Sequence, residues 1–315
     1  MERSVAIVGA GNVGSTAAYA IFLQNIAEKI SLIDIRHGEK AEGEVLDLMH
    51  GASFLHRASL IFGSDLSLCS DAEVIVLCVG AKTTPGPKFD PNTSRLDLTN
   101  LNVKLFRELI PRVVSYNRDA VYLVVTNPVD VLTYLTLKLS GLPWERVIGS
   151  GTSLDSARFK YYLGEKMGIH PSEMKAYILG EHGDSQFPVM SYASIGGMKL
   201  DDLNECSPEA INECFEKTKR AAYEIIARKK ATYYAIGLVI SRIVDCIFSD
   251  ERNIMPLSVR LDDYYGESNI CMSVPCLLGK GGIIKRYSLS LTREEETKLH
   301  LSAEVLRNAI SNIDM

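Results

Sequence analysis

The chain has 315 residues, 46% of them hydrophobic and 23% charged, with a formal charge of −5 at pH 7. That length and apolar share suffice for a large core and predict two domains, while charge without long runs of one sign excludes the footprint expected for nucleic acid or an anionic membrane. No apolar run approaches the ~20 residues of a membrane span, and a strand pattern beginning at Ser4 leaves no room for a signal peptide, so a cytoplasmic protein is expected. Seven cysteines, an odd number with no C-x-x-C pair, read as reduced thiols used as small hydrophobes. Along the first half, short apolar runs alternate with helix-period segments: SVAIVG, a helix from Asn12, KISLID, a helix over 39–49, ASLIF, EVIVLCV, a helix after Asp97, AVYLVVT and a helix from Val129. This alternation predicts an α/β fold whose parallel sheet is covered on both faces. Past VIGSG, near residue 150, amphipathic helices over 154–167, 208–230, 232–248 and 293–313 dominate, interrupted by strand-like MKAYIL, IMPLSVRL and NICMSVPCLL. The expected division is 1–150 and 151–315, the second unit being of mixed α+β type.

Residues 9–14, GAGNVG, place Gly9, Gly11 and Gly14 between an apolar strand and an Ala-rich helix. In that context a G-x-G-x-x-G supplies a tight turn, close approach of backbone to a pyrophosphate, and close packing of helix on strand. The triplet alone is weak evidence, because glycine-rich turns also arise for steric reasons. Here a second strand ends at Asp34, twenty residues after Gly14. A carboxylate at that place accepts from both hydroxyls of an adenosine ribose and repels a 2′-phosphate, which favours NAD over NADP, with Arg36 nearby as the opposing feature. The fold class is therefore a Rossmann-type doubly wound parallel sheet followed by a mixed α+β catalytic domain.

TSLDSARFKYYLGEK reads as a helix with Asp155 and Arg158 one turn apart, and His182 follows in ILGEHGDS at the end of a strand. Read singly, these are a surface ion pair and a turn histidine. Together they supply a proton donor titrating near neutrality, a carboxylate to orient it, and a guanidinium able to grip a carboxylate, which is what reversible hydride chemistry on a 2-oxo acid requires. Metalloprotease, metal-cluster and serine-hydrolase signatures are absent: there is no H-E-x-x-H, no Cys/His metal spacing and no G-x-S-x-G.

GAGNVGS, TNPVDVLTY, GSGTSLDSARF, GEHGDS and KATYYAIGL, in this order across essentially the whole chain, resemble the L-lactate and L-malate dehydrogenase family, and its bacterial-type L-lactate dehydrogenases above all. The resemblance implies that His182 is the proton donor and acceptor, Asp155 its partner and Arg158 the residue pairing with the substrate carboxylate. It makes Arg95 the arginine that polarises the substrate carbonyl, Asn127 an orienting residue and Thr232 part of the pocket lining. NAD would be held by Gly9, Gly11, Asn12, Val13, Gly14, Asp34, Gly80 and Asn127. Residues 80–98, GAKTTPGPKFDPNTSRLDL, hold three prolines and two glycines and suit neither a helix nor a strand; they match a substrate-covering lid. The stretch PKFDPNTS between Gly86 and Arg95 is several residues longer than usual for the family. Where lactate enzymes usually carry Gln and malate enzymes Arg, this chain has Thr83, with Lys82 and Lys88 as weaker stand-ins for a carboxylate clamp. Pyruvate to L-lactate is the leading expectation. The alternatives are a larger or branched 2-oxo acid, malate chemistry, or a catalytically silent NAD-binding protein. The family also implies a homo-oligomer, tetramer or dimer. Lys160 and Lys175 stand where many bacterial relatives use an arginine and a histidine to bind fructose 1,6-bisphosphate, which implies weak or absent activation by that effector.

Overall fold

The computed structural model describes residues 3–55, 59–80, 95–203 and 206–313. In the first half β1 (Ser4–Val8), α1 (Asn12–Leu23), β2 (Lys29–Ile33), α2 (Gly38–His50), β3 (Ser59–Gly63), β4 (Val74–Leu77), α3 (Arg95–Tyr116), β5 (Val121–Val124), α4 (Val129–Ser140) and β6 (Val147–Gly149) alternate. Strands β1, β4 and β5 are buried at every position, because short Val/Ile/Leu runs with no polar face can be accommodated only between two helical layers. All five pairings are parallel and the strand order is β3-β2-β1-β4-β5-β6. The direction of winding reverses between β1 and β4. At such a reversal the loops leaving the strand ends diverge and open a crevice.

The second half contains α5 (Ser153–Met167), β7 (Met174–Leu179), β8 (Phe187–Ile195), β9 (Met198–Lys199), α6 (Pro208–Lys229), α7 (Tyr234–Phe248), β10 (Asn253–Arg260), β11 (Cys271–Gly279), β12 (Gly282–Arg286) and α8 (Arg293–Ser311). Strand β10 pairs antiparallel with β6 through Ser258 and Gly149, and β11 and β12 follow, so one nine-stranded sheet includes strands from both sides of residue 150. A separate antiparallel sheet, β7-β8-β9, packs with α5 around Phe159, Leu163, Met174, Ile178 and Leu200.

Several helix boundaries differ from the sequence expectation: α3 begins at Arg95 and not after Asp97, so the last four residues of the 80–98 stretch are helix rather than loop. Helix α6 ends where Lys230 turns left-handed, at φ 70°, and α7 begins only at Tyr234, so Thr232 stands in the connection between the helices and not inside one. Helix α8 ends at Ser311, two residues before the expected end. Strands β8 and β12 were not evident in the sequence. In β8 the small polar Ser191 and Ser194 and the proline Pro188 dilute the apolar alternation, and a register irregularity opposite 175–177 breaks its period.

Candidate active site

The crevice is floored by the ends of the parallel strands. Gly9 follows β1 with φ 114°, and a side chain there would meet the Cys78 main chain at 2.8 Å. A Cβ on Gly14 would lie 1.9 Å from the Gly9 carbonyl oxygen, so only glycine lets α1 start this close to the strand. At Gly11 the opposite holds, since among the described residues a Cβ would meet nothing within 4 Å. Helix α1 has no side-chain cap and no acidic residue in its first turn, leaving the N–H groups around Asn12 and Val13 directed at open space. Such an end attracts an anion. At the end of β2, Asp34 Oδ1 accepts the N–H groups of Arg36 at 3.0 Å and His37 at 2.9 Å, which fixes the carboxylate at the rim of the same cradle. An uncapped helix end, an open approach and an anchored carboxylate fit a dinucleotide. Gly80 and Asn127, exposed at the ends of β4 and β5, complete the floor, and the Asn127 carbonyl accepts from Asn102 Nδ2 at 2.8 Å.

The candidate acid–base residues come from elements that polar contacts hold in register. Thr152, just before α5, donates its N–H to Ser273 Oγ at 3.0 Å on β11 and its hydroxyl to Ile178 O at 2.5 Å on β7. Ser153 Oγ donates to Pro256 O on β10 at 2.9 Å, and Ser156 Oγ accepts Ile178 N–H at 2.9 Å. The first turn of α5, which carries Asp155, is thereby fastened to β7, β10 and β11 at once. Beyond β7, Gly180 at φ 94° bridges to Ser273 and packs so tightly on Ser302 of α8 that a Cβ would meet its hydroxyl at 2.6 Å. Glu181 N–H donates to the same Ser302 hydroxyl at 2.7 Å. His182 then faces Asp155 across the gap.

Asp155, 2% exposed, divides its carboxylate between two partners: Oδ2 lies 2.6 Å from His182 Nδ1, and Oδ1 accepts from Arg158 Nη1 at 3.2 Å. Burial alone would raise its pKa, but the His182 charge and hydrogen bond, with Arg158, hold it below the ordinary carboxylate range. Burial pulls His182 the other way, down; the Asp155 charge and hydrogen bond and then Asp130 outweigh this and leave it above the ordinary histidine value, against Arg158. The His182 side chain is 25% exposed and that of Arg158 11% exposed, so both retain an accessible edge. With Nδ1 committed to Asp155, Nε2 is the ring atom available to hold or pass a proton. Asp130, which the sequence reading did not select, accepts the His182 main-chain N–H at 2.7 Å.

Residues 152–314 match the family model described as the alpha/beta C-terminal domain of lactate/malate dehydrogenase, and residues 3–149 match the NAD binding domain of the same family. The chain belongs to the lactate/malate dehydrogenase family. Among its relatives is a protein described as L-lactate dehydrogenase from Clostridium botulinum, 42% identical over 313 residues, covering 98% of this chain and 96% of that one. Another, also described as L-lactate dehydrogenase, from Thermoanaerobacter sp., is 42% identical over 318 residues and covers 99% and 100%. The crystal structure of the minor L-lactate dehydrogenase from Enterococcus mundtii, in a ligands-bound form, superposes with a TM-score of 0.94 at 37% identity, covering 100% of this chain and 99% of that one.

Among the family positions, Thr232 is half-buried in the α6–α7 connection. Thr83, with Lys82, Gly86, Lys88 and most of the 80–98 stretch, lies outside the described residues, as does the side chain of Arg95, the first residue of α3. Lys160 on α5 has its pKa lowered by burial and by the like charge of Lys175 on β7.

Proposed function

We propose that this chain is an NAD-dependent L-lactate dehydrogenase catalysing the reversible reduction of pyruvate to L-lactate. The observation that carries the reading is the Asp155 carboxylate divided between His182 and Arg158. One buried charge thus aligns a proton carrier and a carboxylate-binding guanidinium. The full-length relatives described as L-lactate dehydrogenases support the same substrate over malate, a bulkier 2-oxo acid or a silent binding protein.

When bound, the nicotinamide supplies or accepts hydride at the 2-carbon of the substrate. The chain supplies the rest. The α1 N-terminus with Gly9, Gly11, Asn12, Val13 and Gly14 would hold the pyrophosphate and Asp34 the ribose hydroxyls, and Gly80 and Asn127 would contribute to holding the same cofactor. Arg158 grips the substrate carboxylate with the nitrogens not spent on Asp155. His182 Nε2 passes its proton to the carbonyl oxygen during reduction and takes it back during oxidation, while Asp155 stabilises the imidazolium. Asn127 orients the carbonyl, Thr232 lines the pocket, and Arg95 and Thr83 are assigned to carbonyl polarisation and substrate selection from the family pattern.

The enzyme is further proposed to be a cytoplasmic homo-oligomer, a tetramer or a dimer, serving fermentation. Exposed Tyr19 and Leu23 on α1 and Tyr234 and Leu238 on α7, two helices packed on each other, support self-association. Six of the seven free cysteines are buried, which suits a reducing compartment. Among the described residues, no helix is long and apolar enough to cross a membrane.

His182→Asn tests the mechanism. NADH binding, followed by fluorescence, is expected to persist because the cradle is untouched, while turnover with pyruvate falls by about 10²–10⁴-fold. Turnover within severalfold of the parent would remove His182 from its role.

A further inference from the structure

Among the buried carboxylates that the mechanism leaves without a task, one touches the His182 main chain. Asp130 stands in the first turn of α4 and is 2% exposed. Its Oδ2 accepts the His182 N–H at 2.7 Å. Its Oδ1 and the Ser258 hydroxyl of β10 are both buried and lie beside each other outside hydrogen-bond geometry, close enough for the hydroxyl dipole to act on the carboxylate. A carboxylate is a costly way to satisfy a single main-chain N–H, because an amide oxygen would accept the same bond without bringing a charge out of water. Its cost is visible in its ionisation: burial pushes the pKa of Asp130 up to about 6, against the Ser258 hydroxyl, the His182 N–H and the His182 charge, with Glu181 pushing it further up. Of the elements around it, the loop after β7 thus presents His182 and Glu181, β10 presents Ser258, and β11 presents Cys271, whose own pKa the Asp130 charge helps raise. His182 is faced in addition by Asp155 and Arg158 from α5. A charge kept where it destabilises the fold points to a use at the neighbouring imidazole.

We propose that Asp130 is a positioning residue for the acid–base pair: it pins the main chain of His182 against α4 and adds a second negative charge, after Asp155, that holds the proton on the imidazole. The inference rests on His182 being the proton carrier. Asp130→Asn separates its two effects, since the amide oxygen still accepts the N–H but carries no charge.

The experiment compares the pH dependence of pyruvate reduction, the KM for NADH and the thermal melt at pH 8 for the parent and D130N, with H182N alongside. The alkaline fall in kcat/KM is expected to move down by about half a unit to one unit in D130N, because the imidazole gives up its proton at lower pH once a neighbouring negative charge is removed. The KM for NADH should be unchanged. The melting temperature at pH 8 should equal or exceed that of the parent, because the raised pKa means that ionised Asp130 costs folding stability once the pH passes about 6. An unmoved alkaline limb, or a D130N protein that melts well below the parent, overturns the proposal, the second by making Asp130 a structural residue. If H182N retains turnover, the reading of His182 itself has failed, and D130N is no longer needed to decide it; if H182N is inactive and the D130N limb is unmoved, only the inference about Asp130 fails.

Discussion

At the scale of single residues, the proposed chemistry depends on Asp155 and His182 being charged together. Asp155 has a depressed pKa, so its contribution to stability is present above the unfolded carboxylate value and is lost as the pH falls through the folded one. His182 has a raised pKa, so its contribution is complete below the unfolded histidine value and is lost as the pH rises through the folded one. The pair is strongest in the window between these limits, where the imidazolium needed for reduction is also held. Asp155→Asn removes the larger of the two negative charges acting on His182. The alkaline limb of pyruvate reduction should therefore move down by about one unit or more, further than in D130N, while lactate oxidation, which needs the neutral ring, should extend to lower pH. Steady-state pH profiles in both directions check this; coincident profiles for the parent and the variant would contradict the pairing. That Asp155, Arg158 and His182, which the structure brings together, belong to one candidate site could be read from the sequence because each side chain type advertises its chemistry. Asp130 was not, although it lies in the TNPVD segment that drew attention to Asn127: its role depends on which main-chain N–H it meets, 52 positions away, and local sequence carries no trace of that.

At the scale of elements, the site is as precise as the junction of α5 with the strands beneath it. The β-α alternation and the glycine turn could be read directly, because buried parallel strands are short continuous apolar runs and α1 must begin with glycine to approach β1. The start of α7 could not. Thr232 belongs to an amphipathic pattern that continues into α7, but the helix itself begins two residues later, after Tyr233 caps it in a non-helical conformation at φ −149°. The junction itself was equally hidden, since Ser273 looks like one more small residue in an apolar strand. It is fully buried and its hydroxyl accepts the Thr152 N–H, tying β11 to the turn that bears Asp155. Ser273→Ala leaves that N–H buried without a partner, at a cost of about 1–3 kcal/mol in stability. Urea unfolding should register this loss, and kcat should fall severalfold with the KM for NADH unchanged, because the cradle lies at the other strand ends. A variant as stable and as active as the parent would show that the contact does not fix α5.

At the scale of the whole molecule, the glycine turn and Asp34 lie at the β1–β4 reversal of the nine-stranded sheet, while the Asp155–His182–Arg158 group is fastened through α5 and the β7 loop to β10 and β11 of the same sheet. The two are joined through that sheet, in which β10 pairs antiparallel with β6 at Ser258 and Gly149. What such a frame accepts is decided by charge. Arg158 is proposed to provide for one substrate carboxylate, and the family position that would clamp a second is Thr83 in this chain, whose hydroxyl cannot neutralise a charge. Oxaloacetate would have to bring its second carboxylate out of water without a fixed partner, whereas pyruvate brings no such group. The most direct test is the initial rate of NADH oxidation by the purified enzyme with pyruvate and oxaloacetate in parallel, each over a full concentration range. A higher kcat/KM is expected for pyruvate, and a higher value for oxaloacetate would contradict the assignment as a lactate dehydrogenase.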